Sequence, residues 1–149
     1  MLTIILMATK TLTLVLSLAL STLVATAADK GDKKVDLSKI DISKLPAPAA
    51  KTGVTYAADI RPIFEKSCFK CHGPEKQKGK LRLDSLPAVL KGGEDGQILT
   101  PGKSAESLMV IAVARLGDED DAMPPADKGE PLTKEQVALI RAWIDQGAK

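Results

Sequence analysis

Cys68-Phe69-Lys70-Cys71-His72 gathers both cysteines and the one histidine of the 149-residue chain into five consecutive positions. Few chemistries want that arrangement. Two thiols three positions apart reach two neighbouring groups on one edge of a flat ligand, and the residue that follows swings beneath its plane. Cys-x-x-Cys-His is the attachment pattern for c-type haem: the thiols bond the two vinyl groups and the imidazole takes the iron from the proximal side. Three other readings compete. A structural zinc site wants four protein ligands, and the Cys/His inventory stops at Cys68, Cys71 and His72. A thioredoxin-like redox pair belongs in a βαβ context, and no strand pattern surrounds this one. A plain disulfide suits an exported chain but leaves the adjacent histidine without a purpose. One covalent haem c is therefore the expected cofactor, with Cys68 and Cys71 as tethers and His72 as proximal ligand.

The sixth iron position must then come from elsewhere. With a single histidine, bis-histidine ligation within one chain is excluded. Beyond the N-terminal segment the methionines are Met109, inside an apolar run, and Met123, in the loop Asp121-Ala122-Met123-Pro124-Pro125. Two prolines stiffen the backbone after Met123, which suits a side chain held on a metal. Met123 is the expected distal ligand, and Met109 reads as core. A thioether opposite histidine raises the reduction potential and closes the site to outside ligands, favouring electron transfer over catalysis.

Working outward, the pattern predicts four helical stretches and no convincing strands, an all-α domain with long loops. The first runs over about 57–68, with Ile60, Phe64 and Cys68 on one face and Pro62 near its start. A short one follows Asp84 and ends at Gly92-Gly93. A third begins at Ser104 as N-cap and runs to about Leu116, apolar all round from Leu108 to Ala114, hence buried on several sides. The last opens on the capping box Thr133-Lys134-Glu135-Gln136, carries Val137, Ile140 and Ile144 on one stripe, and ends at Gly147. Aromatic residues make up only 3% of the chain, so its core is short of large side chains and a porphyrin would fill it.

Before this domain, expected over 53–149, lie two further parts. Lys10 is the only charge before Asp29, the run from Thr11 to Val24 is apolar, and Ala25-Thr26-Ala27 follows. Residues 1–27 read as a secretory signal peptide, with an uncleaved membrane anchor as the rival reading, and Met7 offers an alternative start. Residues 28–52 are Lys/Asp-rich and then Pro/Ala-rich and read as a linker, extended or partly disordered. The expected location is periplasmic or otherwise exported, with membrane contact only if the N-terminal segment is retained.

Several segments carry weaker signals. Pro101-Gly102-Lys103-Ser104 looks like the end of a P-loop, yet position 97 is Gln where glycine is required and no strand precedes it, so nucleotide binding is rejected. The acidic run Asp118-Glu119-Asp120-Asp121 lacks a calcium-loop pattern. Lys66, Lys70, Lys76, Lys78 and Lys80 surround the haem motif, where they would steer an acidic partner or simply keep the surface soluble. Arg82 is a candidate for pairing with a haem propionate. The formal net charge of +2 argues against a nucleic-acid partner.

These residues, in this order, resemble the planctomycete-type cytochrome c domain, a class I-like monohaem cytochrome. The matching text is Asp59-Ile60-Arg61-Pro62-Ile63, the haem motif with Gly73-Pro74, Lys80-Leu81-Arg82-Leu83-Asp84-Ser85, and Pro101-Gly102-Lys103-Ser104 with Ser107-Leu108. Met123-Pro124-Pro125 and Trp143-Ile144-Asp145-Gln146-Gly147-Ala148 complete it. The resemblance implies a small helical fold wrapped around one haem, His/Met ligation, electron transfer, and Trp143 packing against the haem and meeting Phe64 where the first and last helices cross. The expected role is an electron carrier and not an enzyme, alone or as an electron-transfer subunit of a larger oxidoreductase, with redox proteins of unknown identity as partners. The alternative is a ligand-binding sensor or haem enzyme with an open sixth position. That domain often sits inside longer chains, which leaves the partner open.

Overall fold

The computed structural model describes residues 39–149; the segment read as a signal peptide lies outside them, as does the first part of the linker. Among the described residues there are helices, turns and loops but no strand, only isolated antiparallel bridges at His72–Gln77 and Gly93–Gly96. The all-α expectation holds. None of these helices is long and apolar enough to cross a membrane.

The first predicted helix is three pieces. A π-helical turn, Tyr56–Ile60, leads into α1, Arg61–Ser67, and α2, Phe69–His72, follows after a break at Cys68 (φ −123°, ψ −33°). Pro62 explains the wide opening turn. It has no N–H to close an ordinary helical bond to Ala58, and the N–H of Arg61 instead reaches back to Tyr56 O. Thr55 caps this start by accepting from Ala58 N, and its own N–H donates to Asp59.

The second helix, α3, spans Leu86–Lys91 and stops at Gly92, whose φ of 79° and close approach to the Gly96 carbonyl leave no room for a Cβ. The third departs from expectation. Ser104 does not cap it. Ser104–Glu106 is a separate 3₁₀ turn, and α4 covers Leu108–Val113 after an extended Ser107. The cause is tertiary: the Asp145 carboxylate, arriving from the last helix, accepts from both the Ser104 N–H (2.8 Å) and its hydroxyl (2.9 Å). Met109, Val110, Ile111 and Val113 are all buried, as an apolar-all-round helix requires.

The last helix, α5, is Lys134–Asp145, with the predicted Thr133/Gln136 capping box formed in both directions. Val137, Ile140 and Ile144 face the core together with Ala142 and Trp143. Phe64 and Trp143 meet edge to face (centroids 6.5 Å apart, planes at 81°), and Tyr56 completes a three-ring cluster at 6.4 and 6.1 Å from them. The Trp143 indole N–H and the Tyr56 backbone N–H both donate to Lys149 O, at 2.9 and 2.8 Å. Part of the segment read as a linker lies along α5. Leu45 is buried, Ala49 N donates to Ala138 O (2.9 Å), and Arg141 donates to the Pro46 carbonyl.

With Trp143 fully buried, Trp143→Ala is expected to cost about 3–5 kcal/mol. That is a large share of the ~5–15 kcal/mol that keeps such a domain folded. Denaturant unfolding of the haem-loaded protein followed by circular dichroism measures it.

Candidate functional site

α2 carries the attachment motif, and its geometry is set on both sides. α1 and α2 share the junction at Cys68, so the buried Ile60 and Phe64 anchor the first thiol against the core. Within the motif, Cys71 N and His72 N both donate to Cys68 O, at 3.0 and 2.9 Å, and His72 O accepts from Leu83 N at 2.8 Å. Gly73 follows because a Cβ there would collide with the Phe69 carbonyl.

The His72 ring is oriented by a backbone group. Its Nδ1–H donates to Lys78 O at 3.1 Å. That bond fixes the tautomer and leaves the Nε2 lone pair free to ligate a metal. Burial pushes the imidazole pKa down, against the carbonyls of Lys78 and Leu81, which push it up. The net direction favours the neutral, ligating form. Burial, with a smaller contribution from the Cys71 thiol, pushes the Cys68 thiol up to about 12. Cys68 is therefore a protonated thiol at neutral pH, and the two cysteines form no disulfide.

Cys68, Cys71 and His72 open onto a cavity of about 350 Å³. Apolar side chains make most of its wall, among them Phe64, Leu81, Leu83, Ile98, Leu108 and Val113. Met123, Pro124 and Pro125 line the same cavity, so the structure brings together thiols, imidazole and thioether from positions 68 to 123. Met109 is buried in the core, as read, yet it also reaches the wall. Charges of both signs sit around the cavity: Lys70, Lys78 and Lys128 with Glu94, Asp95 and Asp121. Among the described residues no group of three or more His, Cys, Asp or Glu side chains is arranged to hold a metal ion. The donor set and the apolar cleft fit a covalently tethered haem.

Two expected contacts fall elsewhere. Arg82 is not in the cavity wall; it forms a bidentate pair with Asp84, at 2.9 and 2.6 Å. Trp143 does not reach the cavity either and acts through Phe64, which does. The loop over 93–98 and the Lys78 carbonyl escaped the sequence reading. A loop backbone that supplies a wall, or one carbonyl that orients a ring, leaves no residue-type signal.

The pairing of Arg82 has a measurable consequence. Its hydrogen bonds hold the Asp84 carboxyl below the usual carboxylate range. The stability this pairing contributes is present above the ordinary Asp pKa and is lost as pH falls through the lowered one. Arg82→Ala is expected to return Asp84 to the ordinary range in an NMR titration while leaving the haem absorption spectrum unchanged.

The family model for Planctomycete cytochrome C matches residues 68–127, from the first cysteine to just beyond Met123-Pro124-Pro125. The resemblance carried by the sequence motifs is thereby borne out. No curated protein matches the chain. Among solved structures, Kuenenia stuttgartiensis hydrazine synthase is similar at 22% identity and a TM-score of 0.43, over 64% of this chain and 16% of that one. This chain thus spans well under a fifth of that chain's length.

Proposed function

Taking residues 68–127 as a Planctomycete cytochrome C segment, we propose that the chain is a c-type haem protein that carries single electrons. The observation that carries this reading is one apolar cavity lined at once by Cys68, Cys71, His72 and Met123. When bound, a haem supplies a ferric/ferrous couple at that place.

The rest is work done by the chain. Cys68 and Cys71 tether the group on α2, and because α2 continues from α1 the tether is fixed to the Phe64–Trp143 core. His72, turned by the Lys78 carbonyl, presents Nε2 as the proximal ligand. Met123 would supply a thioether to the iron opposite His72, which would favour the reduced state and block small ligands. The mostly aliphatic wall would limit water around a haem bound there. No side chain acts as an acid or base on a substrate in this scheme. If residues 1–27 act as an export signal, the function lies outside the cytoplasm, with other redox proteins as donor and acceptor.

The test is the absorption spectrum of the haem-loaded protein, oxidised and reduced, with and without carbon monoxide. A low-spin spectrum with a methionine–iron charge-transfer band, insensitive to carbon monoxide, is expected. Met123→Ala should lose the band and bind carbon monoxide. A high-spin wild-type spectrum that shifts with carbon monoxide would instead point to a ligand-binding or catalytic haem.

A further inference from the structure

The C-terminal turn of α4 has a backbone suited to glycine and holds an arginine. Arg115 has φ 57°. Its N–H donates to Ala112 O at 3.2 Å, and the N–H of Leu116 donates to Ile111 O at 3.1 Å. These are the paired bonds of a Schellman cap, where the left-handed position is usually glycine. A side chain at such a position carries a conformational cost, so its contacts should repay it.

The guanidinium of Arg115 reaches into the Met123 loop. Its Nη1 donates to Pro124 O at 2.8 Å in a partly buried setting. On the other flank, Met123 N donates to Ala112 O at 3.0 Å. The end of α4 therefore holds the backbone both before and after the Met123 side chain. The prolines at 124 and 125 have no N–H, so carbonyls are the only backbone handles on that side of the loop, and Arg115 takes the first. Ala122 and Pro124, the two neighbours of Met123, are themselves buried.

We propose that Arg115 is a positioning residue for Met123: its bond to the Pro124 carbonyl holds the thioether at the cavity. The proposal rests on the reading of Met123 as the distal iron ligand. A hydrogen bond from a charged donor is of the stronger kind. Without it, the loop spends more time displaced from the cavity, and an outside ligand binds in proportion to that fraction.

The test uses the full-length haem-loaded protein and three variants, Arg115→Ala, Arg115→Lys and Met123→Ala, with circular dichroism as a check on folding. Readouts are the methionine–iron band of the oxidised form and carbon monoxide affinity of the reduced form. Arg115→Ala should keep its helical signal, weaken the band, and raise carbon monoxide affinity about tenfold, equivalent to ~1.4 kcal/mol. Arg115→Lys, which restores a charged donor, should recover most of both. If Arg115→Ala matches the wild type in band and affinity while Met123→Ala loses the band, the positioning role is overturned and the ligand reading stands. If Met123→Ala changes neither readout, the ligand reading falls and takes the positioning role with it.

Discussion

The contact between Phe64 and Trp143 is the constraint on which the other parts depend. Both side chains are essentially inaccessible to water, and they are the largest of the fully buried side chains. Their edge-to-face meeting joins α1 to α5. α1 runs into α2 with only Cys68 between them, so this contact also ties the attachment motif to the core. Tyr56 ties the same cluster to the cavity wall, because its hydroxyl donates to Leu83 O (2.7 Å) and Leu83 N in turn donates to His72 O (2.8 Å). A short chain of bonds thus links the aromatic core to the backbone of the histidine.

α4 performs the corresponding task for the methionine. It is too apolar to lie at the surface, and burial on several sides makes it a rigid strut. One flank packs in the core through Val110 and Ile111, while Met109, Ala112 and Val113 contribute to the cavity wall. Its end then receives the Met123 backbone. The Ser104–Asp145 bonds join the turn before α4 to α5, so both supports refer back to the same helix. His72 and Met123, the two residues proposed to ligate and 51 positions apart, are in this way referenced to one frame, although neither lies on it.

Much of this was legible in the sequence where chemistry or periodicity leaves a local mark. The Cys-x-x-Cys-His spacing, the Thr133 capping box, the Val137/Ile140/Ile144 stripe and the Gly92 stop each depend on residues close in the chain, and each is found as expected. The pairing of Phe64 with Trp143 came through the family resemblance. The departures have tertiary or local stereochemical causes. Ser104 looks like an N-cap, but Asp145 claims its N–H and hydroxyl from 41 positions away. Pro62 looks tolerable in a first turn, and the chain accommodates it by opening that turn into π geometry. Arg82 reads as a candidate propionate partner, and in the structure it pairs with Asp84, two residues on. The Pro/Ala stretch reads as a spacer because no period shows in it, and it lies along α5 through backbone groups that every sequence possesses.

The same limited inventory that makes the motif easy to read also bears on what the site can do. General acid–base catalysis at a haem uses a group beside the open position that can give and take a proton. The chain's single histidine has its Nδ1 on Lys78 O and its other nitrogen free for the metal. The side chain supplied from the far loop is a thioether, which neither donates nor accepts a proton at any ordinary pH. The carboxylates and lysines of the cavity wall could carry protons, but the residue anchored on both flanks is Met123. A non-titrating thioether whose backbone is held on both flanks, by Ala112 O and by Arg115, is what the electron-carrier proposal asks of this loop.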